Sequence, residues 1–242
     1  MKQALKRLLY SFINKTAGSF GFLVVRKREG FAYVPDYFGR VHGKLYDIRE
    51  DTRFSELAKK AMVDKRTMLN YERLFTFYQL LLAKPEADVV ECGTCRGGNL
   101  FFLASLSKGT IYGIDTFEGH AKEDLSSEEI HTAGGHAASF EDVQKYLVDF
   151  PSVHLLKGRV QDVAPSISDK TFDVVHLDMD LYAPTIFGLD FFYPRLKKDG
   201  VIVLDDYVTT CPGVKKAIDE FCGKNRVQRL VLNTGQCIIG LL

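Results

Sequence analysis

The chain has 242 residues, 46% of them hydrophobic, which suits one large α/β catalytic domain with its own core and an appendage. Lys and Arg number 32 against 31 Asp and Glu, so a formal net charge of +1 gives no global basic field and nucleic acid is not an expected partner. The five cysteines, Cys92, Cys95, Cys211, Cys222 and Cys237, are odd in number and scattered, unlike a disulfide framework, and the cytoplasm is the expected compartment.

Residues 1–28 carry Lys2, Lys6, Arg7, Lys15, Arg26, Lys27 and Arg28 with no acidic residue, and Leu5, Leu8, Leu9, Phe12 and Ile13 recur at helical spacing. This basic amphipathic start fits peripheral contact with an anionic inner-membrane surface, or a helix docked on its own domain or on a second copy of the chain; a homo-oligomer is expected. No apolar h-region marks a secretory signal, and no stretch reaches transmembrane length. The extension over 1–50 is broken by Gly18, Gly21, Gly30, Pro35, Gly39 and Gly43. Residues 52–83 read as a helical cover with an apolar face from Leu57 to Leu81, stopped by Lys84-Pro85.

From Asp88 the pattern alternates. Strands are expected at 88–92, 110–114, 153–156, 172–177, 201–204, 226–231 and 236–240, with helices near 98–107, 139–149, 184–196 and 212–223, which is a doubly wound α/β sheet with helices on both faces. Only Leu232-Asn233-Thr234-Gly235 joins the last two strands, too few residues for a crossover, so the final strand is antiparallel. The polar segment over 117–139, with His120, His131 and His136, is longer than a usual connection and reads as a lid or a disordered insertion, its histidines as lid-surface residues rather than catalysts.

Two acidic clusters, Asp178-Met179-Asp180 and Asp205-Asp206, each follow an apolar strand-like run. Strand ends of this kind open into the ligand crevice of an α/β sheet, and four carboxylates there suit a hard divalent cation such as Mg²⁺. At the other end of the site, Glu91-Cys92-Gly93-Thr94-Cys95-Arg96-Gly97 ends a strand and opens a helix. Asp115 closes the second strand about twenty residues further on, where a carboxylate can accept hydrogen bonds from ribose hydroxyls, and Asp162, after the third strand, is a candidate flank for adenine. Cys92 and Cys95 have Cys-x-x-Cys spacing, but the interleaved glycines and the lack of a second such pair disfavour a redox or zinc site.

The spacing Glu91-x-Gly93-x-x-x-Gly97 resembles the first motif of class I methyltransferases more than a dinucleotide fingerprint, and the terminal hairpin has their topology. With Asp115-Thr116-Phe117-Glu118-Gly119, His176-Leu177-Asp178-Met179-Asp180-Leu181-Tyr182, Tyr193-Pro194-Arg195-Leu196 and Asp205-Asp206-Tyr207, five motifs in order over about residues 60–240 resemble the macrocin O-methyltransferase family. The resemblance implies S-adenosylmethionine bound by Glu91, Gly93, Gly97, Asp115 and Asp162, with Thr67 and Met68 on a covering helix. It implies Mg²⁺ on Asp178, Asp205 and Asp206, and Asp180 as general base toward the hydroxyl of a glycoside, glycan or lipid-linked sugar. Two other readings remain at this point: an Asp-x-Asp glycosyltransferase, disfavoured by the glycine motif and the hairpin, and a non-catalytic methyltransferase-like binding module, which leaves four carboxylates idle.

Overall fold

A computed structural model describes residues 48–127, 129–208 and 211–240. The chain divides into two units, Met1–Thr52 and Arg53–Leu242. Of the first, the described part holds one 3-10 turn, Ile48–Glu50; the amphipathic start over 1–28 and nearly all of the basic extension lie outside the described residues.

The second unit is built on one seven-stranded sheet in the order β3-β2-β1-β4-β5-β7-β6. Its strands are β1 (Val89–Cys92), β2 (Ile111–Asp115), β3 (Val153–Lys157), β4 (Phe172–Leu177), β5 (Leu196–Leu204), β6 (Arg229–Val231) and β7 (Cys237–Ile239). The helices are α1 (Thr52–Met62), α2 (Tyr71–Ala83), α3 (Gly98–Ala104), α4 (Phe140–Tyr146), α5 (Val160–Val163), α6 (Tyr182–Phe192) and α7 (Pro212–Asn225). All pairings are parallel except those of β7, which runs antiparallel to both β5 and β6.

The central strands are near-continuous apolar runs because both faces are covered. One face, with Val90, Cys92, Val175, Leu177, Ile202 and Leu204, packs in a single core with Phe192 of α6 and Phe221 of α7. Side chains two apart share a face, so Glu91 and His176 stand on the opposite one, paired across β1 and β4, with Phe77 of α2 edge-on to the His176 ring at 4.6 Å.

The register puts Cys92 beside both Ile114 and Leu177, and Leu177 beside Leu204. The turns that follow β1, β2, β4 and β5 therefore open on one edge of the sheet, and strand order reverses there between β1 and β4, the place where such sheets bind ligands.

Of the boundaries that differ from expectation, three have a visible cause. The cover over 52–83 is two helices, because Asp64 and Lys65 take φ of 53° and 55° and stop the first, and Asn70 starts the second by accepting the N–H of Arg73 on its side chain. Strand β6 begins at Arg229 rather than 226, since Arg226 is the left-handed cap of α7. Strand β5 begins at Leu196, ahead of 201, with a register shift opposite Phe172 and Val174; there Lys197 joins the Asp88 and Asp173 carboxylates at 2.6 and 2.8 Å.

Candidate active site

A cavity of about 340 Å³ opens at the C-terminal edge of β1, β2, β4 and β5. One wall includes Thr67, Met68, Glu91, Gly93, Thr94, Asp115 and Val160. The 66–70 linker reaches the wall because Gly98 lets it: a Cβ on Gly98 would stand 2.5–2.6 Å from Ala61, Arg66 and Thr67 backbone atoms, and the Gly98 N–H donates to the Arg66 carbonyl. Met68 is 65% exposed and Thr67 Oγ1 accepts the Leu69 N–H.

Asp115 is aimed by two backbone donors, the N–H groups of Phe117 and Cys95, each at 2.7 Å. Burial pushes its carboxyl up while those donors pull it back. Glu91 accepts from Asn99 Nδ2 at 2.6 Å and from His176 Nδ1 at 2.9 Å on one oxygen, while its Oε2 is buried with no partner. An unmatched acceptor on this wall and a two-oxygen ribose acceptor at Asp115 fit an amino-acid-bearing nucleoside such as S-adenosylmethionine.

Gly93 carries a second constraint. Its φ is +94°, and a Cβ there would sit 1.7 Å from the Asp178 carbonyl oxygen, so the turn after β1 packs directly on the turn after β4. Gly97, at φ +77°, lies outside the lining and faces Val143 of α4. Asp162 is likewise not brought to the cavity: its side chain is 62% exposed and pairs with Arg159 at 3.8 Å, while Gly158, Arg159 and Val160 take the wall position expected for it. Cys92 and Cys95 are free thiols pushed up by burial.

The acidic wall holds Asp178, Asp180, Asp205 and Asp206. Asp205, 1% exposed, receives Arg73 Nη1 on Oδ2 and Gln236 Nε2 at 2.7 Å on Oδ1. Arg73 also reaches Asp206 Oδ1 at 3.2 Å. Burial disfavours a charged His176, yet Asp205 and Glu91 outweigh it and raise the imidazole to about 10; its Nδ1 meets Glu91 Oε1 at 2.9 Å, and its Nε2 lies 3.8 Å from Asp205 Oδ1. Burial and the neighbouring Asp205 hold the Asp178 carboxyl well above the usual range. Asp206 is raised to about 6 by burial and by sharing a hydrogen bond with Asp180. Four carboxylates make the all-oxygen set that a hard cation such as Mg²⁺ prefers; among the described residues the acidic-wall oxygens that approach within 4.8 Å of a third donor are those of Asp180 and Asp206, beside Cys211, while both Asp205 oxygens are taken by Arg73 and Gln236.

Asp180 differs. Burial would raise it, but His120 Nε2 at 3.0 Å and Asp206 bring it down to about 2. The histidines were expected at the lid surface, yet the His120 side chain is only 9% exposed. The 117–139 segment lines the cavity through Gly119, His120, Ala121, Asp124, His131, Gly135 and His136; Glu118 faces outward to Lys157. Arg73, His176 and Gln236 were not assigned from sequence. A histidine inside the apolar run Phe172–Leu177 and an arginine in the first turn of an apolar helix were the available signals.

The profile of the macrocin O-methyltransferase (TylF) family matches residues 46–236. The chain is 26% identical over 212 residues to the demethyldecarbamoylnovobiocin O-methyltransferase of Streptomyces niveus, covering 78% of this chain and 80% of that one. It is 27% identical over 202 residues to 8-demethyl-8-(2,3-dimethoxy-alpha-L-rhamnosyl)-tetracenomycin-C 4'-O-methyltransferase of Streptomyces olivaceus, covering 74% and 76%. The solved structure of the O-methyltransferase NovP superposes with a TM-score of 0.65 at 24% identity over 76% of this chain and 86% of that one, which establishes the shared methyltransferase fold. Among the described residues, no helix is long and apolar enough to cross a membrane. With a match over more than three quarters of its length, the chain belongs to the macrocin O-methyltransferase family and is an O-methyltransferase that uses S-adenosylmethionine.

Proposed function

We propose that the acceptor is a sugar hydroxyl, that Mg²⁺ assists, and that Asp180 is the general base. The observation that carries this reading is the meeting of Asp178, Asp180 and Asp206 with Glu91 and Asp115 around one cavity. The relatives' names point the same way: one carries the word rhamnosyl in its acceptor.

S-adenosylmethionine supplies an already activated methyl, and Mg²⁺ supplies the charge that lowers the pKa of an alcohol. Asp178, Asp205 and Asp206 are the residues that would hold the ion, with Arg73 and Gln236 fixing Asp205 from behind. Asp115, Glu91, Thr67 and Met68 orient the donor. Asp180, aimed by His120, would accept the proton of the acceptor hydroxyl. The 117–139 segment covers the reacting atoms and excludes water. Family membership removes the ground for the glycosyltransferase and non-catalytic readings. Glycosides, glycans and lipid-linked sugars are the acceptor classes to separate.

Labelled methyl uptake on a panel of glycosides, free sugars and lipid-linked saccharides, with Mg²⁺ or with chelator, tests the reading. Uptake on a sugar hydroxyl that chelator abolishes is the expected result. Uptake only on non-sugar hydroxyls, or uptake indifferent to chelator, overturns the acceptor or the metal assignment respectively.

A further inference from the structure

His120, His131 and His136 converge on Asp180 and, apart from the His120 contact, have no part in methyl transfer as described above. One nitrogen from each imidazole and one Asp180 oxygen lie within 4.8 Å of one another. The rings stand 4.7 Å apart for His120 and His131, 5.3 Å for His120 and His136, and 5.9 Å for His131 and His136. His120 Nδ1 is buried without a hydrogen-bond partner.

The backbone brings them together. The His120 N–H donates to the Gly135 carbonyl and the Gly134 N–H to the His120 carbonyl, each at 3.0 Å, folding the two ends of the segment against each other. In the middle, Glu129 Oε1 accepts the Tyr182 N–H at 2.9 Å, which fastens the segment to the start of α6, two residues past Asp180. Three imidazoles at this spacing repel one another if protonated, and as neutral rings they present lone pairs to a common point.

We infer that His120, His131, His136 and Asp180 form a binding site for a first-row transition-metal ion of the Zn²⁺ class. Imidazole nitrogens favour Zn²⁺, Co²⁺, Ni²⁺ and Fe²⁺, whereas the hard Mg²⁺ prefers oxygen. Three histidines and one carboxylate make up a four-coordinate set. Ligands of a tetrahedral Zn²⁺ stand about 3.3 Å apart, given bonds of roughly 2.0–2.1 Å. The site therefore tightens by side-chain rotation, chiefly at His136, whose exposed side chain is free to turn. Cys211 borders it, with Sγ 3.4 Å from His131 Nε2. An ion held here pins the segment to the turn after β4 and takes an Asp180 oxygen away from the acceptor. That braking effect rests on the role proposed for Asp180; the site itself does not.

The full chain, stripped of metal with chelator, is titrated with Co²⁺ and its visible absorption followed. The expected result is saturation at one equivalent with the intense bands of tetrahedral Co²⁺, bleached by Zn²⁺ and unchanged by excess Mg²⁺. His131→Ala and His136→Asn should each weaken Co²⁺ binding by about tenfold or more. His154→Asn, an exposed histidine on β3 outside the four ligands, should keep the bands, with circular dichroism verifying the fold of every variant. No bands, bands of undiminished affinity in both the His131 and His136 variants, or bands lost only with His154→Asn would overturn the site. The readout needs neither methyl donor nor acceptor, so its failure leaves the methyl-transfer reading standing, and the reverse holds equally.

Discussion

Arg73→Leu is the sharpest probe of how the acidic wall is held. The guanidinium bonds the Asp205 and Asp206 carboxylates and, through Nε, the Thr234 carbonyl at 3.2 Å. Its side chain is 18% exposed and those of the two aspartates 1% and 15%, so solvent screens the pair little. Removing one partner of a buried pair costs about 3–5 kcal/mol because a charge is left without its partner, a large share of the roughly 5–15 kcal/mol that holds a domain folded. At about 2–4 °C per kcal/mol for a chain of this size, Tm should fall by roughly 6–20 °C. Asp206 can relieve the variant by binding a proton, so the loss is largest at about pH 8, above the raised Asp206 value. Mg²⁺ replaces the lost positive charge and should stabilise the variant more than the parent. Denaturant unfolding with chelator and with Mg²⁺ measures both effects. A loss under about 1 kcal/mol, or an equal Mg²⁺ shift in both proteins, would refute the reasoning.

Three further outcomes are expected. Asp180→Asn should lower methyl transfer by about 10²–10⁴-fold, the usual worth of a general base, while calorimetry shows donor binding unchanged. Mg²⁺ affinity should decline as pH falls through about 6, since Asp206 is raised to about 6, Asp178 is raised as well, and the ion competes with their protons; a flat profile from pH 5 to 8 would contradict this. Gly93→Ala forces a Cβ onto the Asp178 carbonyl at a φ of +94°. It should cost at least about 1–3 kcal/mol in denaturant unfolding and weaken donor binding.

Much of the sheet is legible in the sequence because the end of β5 is an unbroken apolar run, Val89–Cys92 and Phe172–Leu177 are apolar apart from Glu91, Asp173 and His176, and a four-residue link forces the final hairpin. The acidic clusters were legible for the same reason: they mark where those runs stop. The break at Asp64 and Lys65 was not, because a single Asp followed by Lys, with no Gly or Pro beside them, is a weak turn signal inside a helix-like stretch. Nor was the Arg73 clamp, which joins residues 132 and 133 positions apart. Asp162 misled because the short helix α5 turns it outward, leaving Val160 on the wall. The histidines read as surface groups since nothing in their spacing announces that Gly134 and Gly135 fold back onto His120.

The antiparallel strand β7 sits between β5 and β6 rather than at the sheet's margin, and that has a consequence for biosynthesis. On a ribosome, β1 to β5 are made long before β7, so β5 waits with an open hydrogen-bonding edge, and Asp205 waits for Gln236. Nascent chains halted before residue 236 should therefore be prone to edge-to-edge association, and the acidic wall reaches its working arrangement only when the last strand slides into the middle of its neighbours.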